Sequence, residues 1–292
     1  MNHILQQCQD LVVDSNTGIP LPFQNVGIAT DIRLAQIDGS AWAHKDHTIV
    51  QIPEIPRWLW GHRLIYPAPP ADGDFERWDR DFSQAFPEHP EPKQRSFSWD
   101  GTHGESGVDQ PFLDAGYRSM DLVLMTGHSF TRPAQANQSM VVRPLTREAD
   151  WASMIDCAYD AKVERRDDPA YRDDMKRMFT RYRRITQDSR SLWFGAFDGE
   201  RLAGTLGIFG WGTLGRYQGV VVREEYRRQG VGRQLVYESA HQAQEVLGIR
   251  DFIIGSIKDS SPQRLYEEVG FQSFQRERAL VRQGNHQEEK NA

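Results

Sequence analysis

The chain has 292 residues, about twice the usual length of one domain, so the sequence predicts two domains that can each bury a core. Hydrophobic residues make up 38% and aromatic residues 11% of the chain, which excludes an intrinsically disordered protein. Because 41 Asp and Glu residues outnumber 35 Lys and Arg residues, the net charge is −6, and we expect no nucleic-acid and no membrane partner.

The two cysteines, Cys8 and Cys157, are far apart in the sequence, so neither a disulfide framework nor a thiolate metal cluster is expected. The nine histidines show no zinc-binding spacing, and we predict no metal site. Residues 1–14 are too polar for a signal peptide, and no segment approaches the roughly 18 apolar residues of a membrane span. We therefore expect a cytoplasmic protein.

The N-terminal half combines strand-like runs with one clear helical pattern. Strands are predicted over residues 28–37, 42–52, 58–66 and 120–125. An amphipathic helix is predicted from Phe75 to Phe86, with its aromatic residues along one side. Residues 87–107 are rich in Pro, Glu and Gly and are predicted to be mostly loop.

Residues 132–139 form a polar stretch without periodicity, so we place a domain boundary between Gln138 and Ser139. Helical and strand-like patterns alternate after this boundary. Helices are predicted over residues 147–161, 171–185, 230–247 and 262–269. Strands are predicted over residues 140–145, 191–197, 202–209, 217–222 and 251–257, and residues 271–281 are predicted to form a closing strand or hairpin. The sequence thus predicts an α+β domain over residues 139–283 and a polar tail over residues 284–292.

The strongest local motif, RRQGVG, lies between a predicted strand and a predicted helix. It consists of Arg227, Arg228, Gln229, Gly230, Val231 and Gly232. A helix N-terminus after such a loop presents unpaired backbone N–H groups and the positive end of the helix dipole, which together bind phosphate. Glycines let the backbone approach the anion, and arginines add positive charge. The string also fits an ordinary solvated turn, but its position before a helix favours a phosphate site.

Two further segments need separate interpretation. Residues 210–215 fit the dinucleotide fingerprint GxGxxG, but a strand follows them where that motif requires a helix, so we interpret them as a loop. Residues 259–271 contain a short helix that carries Tyr266, ends at Gly270 and precedes Phe271. Taken alone, Tyr266 would be a core aromatic residue with its hydroxyl at the surface.

The order of these elements resembles the GNAT superfamily of acyl-CoA-dependent N-acyltransferases. Two motifs carry the resemblance, VREEYRRQGVG at residues 222–232 and the segment of residues 259–271 that ends in RLYEEVGF, and it covers roughly residues 140–283. It implies a mixed central sheet flanked by helices and transfer of an acetyl group from acetyl-CoA to an amine. The sequence departs from the family pattern at Glu224, where Pro is frequent, and at Asp259 and Pro262, where Asn and Ala are common.

The resemblance also implies roles for individual residues. The backbone of Val220, Val221 and Val222 would contact the pantetheine arm of the cofactor, and residues 227–232 would hold its pyrophosphate. Asp259 occupies the position of an Asn that contacts the pantetheine. Tyr266 would act as the general acid that protonates the departing coenzyme A thiolate, provided that it lies within hydrogen-bond reach. Surface carboxylates such as Glu164, Asp198 and Glu200 are candidates for the base that deprotonates the amine, but no motif selects one of them. An ordered chain of water molecules is an equal alternative, and we name no base.

The N-terminal half resembles a second, degenerate copy of the same fold. Residues 112–117 (FLDAGY) repeat the pattern of residues 266–271 (YEEVGF), with Phe112 in place of the tyrosine. Residues 67–74 (PAPPADGD) stand where the phosphate loop would lie. They are unsuited to bind phosphate, because Pro lacks an N–H group and Asp repels phosphate. We therefore predict two tandem GNAT-like domains, with a degenerate one over residues 1–138 and a catalytic one over residues 139–283. An unrelated α+β domain is the alternative for the N-terminal half.

Two other functions compete with amine acetylation. One is a non-catalytic acyl-CoA-binding or sensor protein that uses the same loop, and the other is an interaction scaffold without cofactor. The sequence does not identify the acceptor amine. It also does not decide between a monomer and a homodimer. Aromatic side chains that could line the acceptor site are Trp193, Phe194, Phe209, Trp211 and Tyr217. The basic helix predicted over residues 171–185 could face an acidic acceptor, but such a run is more often a solvated face.

Overall fold

The computed structural model describes residues 2–56, 58–88, 94–133, 139–161, 169–187 and 190–282. The chain forms two compact units. Unit 1 comprises Met1–Leu124 and Gln275–Ala292, and unit 2 comprises Met125–Phe274. The predicted boundary at Gln138 and the predicted tail at 284–292 involve positions outside the described residues. The assignment of a degenerate and a catalytic domain stays a prediction.

Unit 1 contains a strand meander followed by a helical crossover. Its helices are α1 (Asn2–Cys8), α2 (Val26–Ala35), α3 (Asp74–Ala85) and α4 (Gln110–Asp114). Its strands are β1 (Ser40–His44), β2 (His47–Gln51), β3 (His62–Tyr66), β4 (Arg95–Trp99) and the first part of β5 (Arg118–Gly127). Strands β1, β2 and β3 are antiparallel neighbours, and β4 lies parallel to β3 after α3. Unit 1 also takes Ala279–Arg282 from the C-terminal strand, because these residues pair with β4.

Three predictions for unit 1 were wrong. Residues 28–35 of the predicted strand 28–37 belong to helix α2, because the Asn25 side chain accepts a hydrogen bond from the Ile28 N–H and starts the helix. The alternation of apolar residues there is misleading, since α2 is buried on almost every side. Residues 42–52 form two strands joined by a turn at Lys45, which has a φ of 53°. Strand β4 lies inside the predicted loop 87–107 and is completely buried.

Unit 2 repeats this architecture with longer elements. Its helices are α5 (Glu148–Asp160), α6 (Pro169–Gln187), α7 (Val231–Leu247) and α8 (Ser261–Val269). Its strands are β6 (Met140–Pro144), β7 (Ser191–Asp198), β8 (Arg201–Trp211), β9 (Leu214–Val222) and β10 (Asp251–Ile257), and the last strand of the chain, β11 (Gln272–Arg282), begins in this unit. Strands β6 to β9 form an antiparallel meander, and β10 lies parallel to β9 after α7.

The elements predicted for the C-terminal half agree closely with those of unit 2. Residues 210–215, which carry the GxGxxG string, form the β8–β9 hairpin, with a turn at Gly212 where φ is 58°. No nucleotide-binding helix follows this hairpin.

Asp150 links the start of α5 to strand β6 and gives a testable pH dependence. Its buried carboxylate accepts hydrogen bonds from Arg143 at 2.6 and 2.8 Å and from Arg147 at 2.9 Å. These bonds, led by those from Arg143, hold the pKa of Asp150 well below its ordinary value of 3.8. A depressed folded-state pKa stabilises the protein above the unfolded pKa, and this stability is lost as the pH falls through the folded value.

We therefore expect Asp150→Asn to lower the free energy of unfolding at neutral pH by about 2 kcal/mol. Below about pH 5 the wild type should lose this advantage progressively down to about pH 1, so the two stability curves should converge. Urea unfolding followed by circular dichroism across this range measures both curves. Asp156→Asn, an exposed change on the same helix, should leave the curve of the wild type unchanged. Parallel curves for Asp150→Asn and the wild type would contradict the assignment.

Candidate functional site

Strand β9 is irregular where the sequence analysis placed the pantetheine contacts. Thr205 pairs with Val221 and Gly207 pairs with Gln218, so two residues of β9 oppose one residue of β8 in a β-bulge. Gly219 lies in this bulge with a φ of 62°, a conformation that favours glycine. A Cβ atom at Gly219 would lie 3.1 Å from the Trp193 ring, so the bulge is also tightly packed.

The parallel pairing of β9 with β10 is short. Among the described residues it joins Leu214, Gly215 and Arg216 to the first three residues of β10 and then stops. The second half of β9, Gln218–Val222, is half-buried. On β10, a Cβ atom at Gly255 would meet no atom within 4 Å, and Ile257 is 48% exposed. The two strands thus separate after Arg216 and leave backbone groups of β9 free for a ligand.

The start of helix α7 lies where the sequence analysis placed the phosphate loop. A short 3-10 turn over Glu224–Tyr226 leads into the loop, and Gly230 forms the N-cap with a φ of 80°. No side chain caps this helix end among the described residues. The first N–H groups of the helix therefore remain available to an anion, and the helix dipole favours negative charge at the same point.

The side chains of this loop have different roles. The Arg227 guanidinium donates to the backbone carbonyls of Val222 and Ala161, so it holds the loop in place. Gln229 donates to the carbonyl of Glu225 at 2.5 Å. Arg228 is exposed and forms no ion pair or hydrogen bond through its side chain among the described residues. Arg228 is thus the arginine of the motif that is free to contact an anion.

Gly232 brings the separate motifs of unit 2 together. A Cβ atom at Gly232 would lie 2.9 Å from Leu265 on α8 and 3.6 Å from Val222 on β9. The end of β9, the start of α7 and the helix that carries Tyr266 therefore meet at this glycine. Close packing of α7 on α8 gives a second reason for a residue without a side chain at this position.

Tyr266 lies on α8 with 5% of its surface exposed. Burial raises its pKa above the ordinary value of 10.0, so the hydroxyl stays protonated. The ring packs against Phe271, and within the part of the chain that the structure describes the hydroxyl forms no hydrogen bond. Tyr217, by contrast, donates from its hydroxyl to the Val236 carbonyl at 2.8 Å. Tyr266 is thus a buried tyrosine whose proton is not committed to a protein acceptor.

Helix α8 begins with Ser260, whose hydroxyl accepts a hydrogen bond from the Gln263 N–H at 3.4 Å. Asp259, the predicted pantetheine contact, precedes this cap with a φ of 60°. Its carboxylate is 77% exposed and forms an ion pair with Lys258 at 2.5 Å. The structure therefore places the Asp259 side chain in solvent, and its predicted contact with the cofactor stays a prediction.

The carboxylates considered as a base lie at the surface or outside the described residues. Asp198 accepts a hydrogen bond from the Tyr226 hydroxyl at 3.2 Å, and Glu200 pairs with Arg147. Glu164 is outside the described residues.

Four of the five aromatic residues considered as acceptor lining are core residues, each at most 2% exposed. They are Trp193, Phe194, Phe209 and Tyr217.

The corresponding region of unit 1 is closed. Strands β3 and β4 stay paired to their ends, where Tyr66 pairs with Trp99 and the Asp100 N–H donates to the Tyr66 carbonyl. Phe112, which occupies the position that matches Tyr266, has no exposed surface and packs in an aromatic cluster. Strands β3 and β4 do not separate in the way that β9 and β10 do. Within the described residues, unit 1 therefore lacks the free strand edge found in unit 2.

Comparisons with known proteins identify the class of unit 2. Residues 151–271 match the model of the acetyltransferase (GNAT) family, and this part of the chain is a GNAT domain. The family match indicates acyl-CoA-dependent acyl transfer. No curated protein sequence matches the chain significantly. In the residues that the structure describes, no helix is both long and apolar enough to cross a bilayer.

Three solved structures share the fold over most of the chain. A functionally unknown conserved protein from Staphylococcus epidermidis has a TM-score of 0.67 at 15% identity, covering 85% of this chain and 96% of its own. A GCN5-related N-acetyltransferase from Kribbella flavida has a TM-score of 0.58 at 14% identity, covering 89% and 96%. A tandem GNAT protein from the clavulanic acid biosynthesis pathway has a TM-score of 0.51 at 12% identity, covering 97% and 96%. The predicted tandem GNAT-like fold is thereby confirmed.

Sequence reasoning missed one feature of the candidate site, the bulge at Gly219. The signal was present, because a single glycine precedes three valines inside a β-branched strand, and such a glycine often marks a bulge. The bulge matters because it lies where β9 loses its pairing with β10.

Proposed function

We propose that unit 2 transfers an acetyl group from acetyl-CoA to a primary or secondary amine. The observation that carries the proposal is the meeting of three features at Gly232. These are the free edge of β9, the uncapped N-terminus of α7 and the helix that carries Tyr266.

The residues of the site fit the cofactor. The backbone groups of Val220, Val221 and Val222 would pair with the amides of the pantetheine arm, as an added strand would. The N–H groups of Val231 and Gly232 would hold the pyrophosphate, with Arg228 adding positive charge. Bound acetyl-CoA supplies a thioester, whose acetyl group is the group to be transferred.

In the proposed mechanism, Tyr266 holds the proton that the leaving sulfur needs. The acceptor amine attacks the thioester carbon directly, so no residue of the chain becomes acetylated. As the C–S bond breaks, the Tyr266 hydroxyl donates its proton to sulfur, which avoids release of a free thiolate. The proton that the amine gives up to water then restores the Tyr266 hydroxyl. Because both reactants are held in one site, positioning supplies much of the rate. Water is the proposed proton acceptor for the amine, since no described carboxylate of the site is placed for this role.

Release of free thiol from acetyl-CoA, measured with a panel of amines, tests the proposal. Turnover with at least one class of amine supports it. Tight binding of coenzyme A without thiol release from any amine would favour the sensor function. Absence of any binding would contradict both functions and favour a scaffold.

Arg228→Glu is expected to weaken coenzyme A binding about tenfold at low salt, because the change reverses the charge next to the phosphates. Calorimetric titration measures the affinity. Arg250→Glu is the matched control, because Arg250 is also an exposed arginine of unit 2 but lies before β10. The Tm should not change in either variant, since neither guanidinium forms an ion pair among the described residues. Equal affinities for both variants would contradict the role of Arg228.

A further inference from the structure

Gln218 is a half-buried polar residue at the point where β9 separates from β10. The pairing of the two strands ends where Arg216 pairs with Ile253. Two residues further along the same register, Gln218 and Gly255 would lie opposite each other and on the same face of the sheet. A Cβ atom at Gly255 would meet no atom within 4 Å. The side chain of Gln218 thus lies on the face of the sheet that is open beside β10.

Gln218 and Tyr266 belong to opposite faces of this sheet. Tyr217 precedes Gln218 in β9, and successive side chains of a strand point to opposite faces. The Tyr217 hydroxyl donates to the Val236 carbonyl of α7, and Tyr266 interacts electrostatically with Tyr217 on that side. Gln218 instead reaches α6, where its Nε2 atom donates to the Tyr182 hydroxyl at 2.7 Å. A group bound between β9 and β10 would therefore have Tyr266 on one side and Gln218 on the other.

The amide of Gln218 retains one unused hydrogen-bonding atom. Nε2 is engaged by Tyr182, and Oε1 has no hydrogen-bond partner within the part of the chain that the structure describes. Tyr182 is itself fixed beside the bulge, because its ring packs on Trp193 with the centroids 4.9 Å apart. A Cβ atom at Gly219 would lie 3.8 Å from the same tyrosine ring. Gln218 thus presents a carbonyl oxygen, held by a buried tyrosine, that can only accept a hydrogen bond.

The proposed cofactor contacts bring the acetyl group close to this oxygen. Pyrophosphate at the start of α7 and a pantetheine arm along Val222 to Val220 leave the acetyl end beside Gly219 and Gln218. We propose that Oε1 of Gln218 accepts a hydrogen bond from the acceptor amine and orients the amine lone pair toward the thioester carbon. Tyr182 acts as a positioning residue through its bond to Gln218. The inference rests on the proposed acetyl transfer.

This hydrogen bond has a consequence for selectivity. A primary amine has two N–H groups, so one can donate to Gln218 while the other gives its proton to water. A secondary amine has a single N–H group, which cannot do both. Because an amide oxygen does not take up the proton, Gln218 orients the amine and does not act as its base. Gln218 should therefore favour a primary amine over its N-methyl derivative.

The experiment measures kcat and KM of the full-length protein for primary amines and their N-methyl derivatives, such as benzylamine and N-methylbenzylamine. Gln218→Leu should raise the KM for the primary amine about fivefold and lower the preference for it by the same factor, which is the contribution of one hydrogen bond. Gln218→Glu keeps an oxygen acceptor and should retain the preference. Tyr182→Phe should lower the preference, because the amide is then no longer held. The Kd of coenzyme A should not change in these variants.

Gln187→Leu, at an exposed glutamine of α6, is the matched control and should behave as the wild type does. If the wild type releases thiol but Gln218→Leu keeps the full preference for the primary amine, the role of Gln218 is contradicted and acetyl transfer stands. Absence of thiol release from the wild type with every amine would overturn the proposed function and this inference together. If Gln218→Leu does not fold, Tyr182→Phe decides, and an unchanged preference in that variant would contradict the positioned hydrogen bond.

Discussion

Replacement of Tyr266 by Phe is expected to lower the rate of thiol release from acetyl-CoA by about 100-fold, the usual contribution of a general acid. Phe retains the ring and its packing against Phe271 and loses only the hydroxyl. Because that hydroxyl has no hydrogen-bond partner among the described residues, its removal should not change the Tm. The affinity for coenzyme A should also persist.

Tyr217→Phe is the matched control for this experiment. Tyr217 is a second buried tyrosine of unit 2, but its hydroxyl donates a hydrogen bond to the Val236 carbonyl. Its removal should cost about 1 kcal/mol of stability and little activity. Equal losses of turnover in the two variants, or full activity of Tyr266→Phe, would remove Tyr266 from the proposed role.

The pH dependence of the wild type provides an independent check. Burial raises the pKa of Tyr266, so the protonated form persists to higher pH than in a free tyrosine. Turnover should therefore not decline between about pH 7 and pH 9, whereas deprotonation of the acceptor amine should increase it. A decline over this range would indicate an acid with a lower pKa than that of Tyr266.

Gly230→Glu is expected to abolish coenzyme A binding, with an affinity at least 100-fold lower than that of the wild type. The change places a side chain with a carboxylate beside the first N–H groups of α7, which are proposed to bind the phosphates. It also puts a residue with a Cβ at a φ of 80°, which costs about 1 kcal/mol of stability. Calorimetry measures the affinity and urea unfolding measures the stability.

Gly248→Glu separates these two effects. Gly248 ends the same helix with a φ of 63°, and a Cβ atom there would meet only the Arg190 guanidinium at 3.6 Å. This variant carries the same backbone cost at the other end of α7, where no phosphate is proposed to bind. If both variants lost coenzyme A binding, the loss would come from damage to the fold. Retained binding in Gly230→Glu would contradict the phosphate site.

The elements of unit 2 followed from local sequence patterns, whereas those of unit 1 did so only in part. In unit 2, amphipathic periodicity and glycine stops mark the helix ends, as at Gly248 and Gly270. In unit 1, α2 is buried on nearly all sides and has no polar face to reveal its helical period. Strand β4 is buried, and it includes Ser96 and Ser98, two polar residues that are typical of loops when the sequence is considered alone.

The sequence by itself determined the order of elements in unit 2, the RRQGVG motif before a helix and the position of Tyr266, because each depends on residues close together in the chain. Only the tertiary structure decided which side chains are free to act. It holds Arg227 in backbone contacts and leaves Arg228 unpaired among the described residues, because the loop folds back on Val222. It also brings Tyr182 to Gln218, since packing of a helix against a sheet joins residues that no local spacing connects.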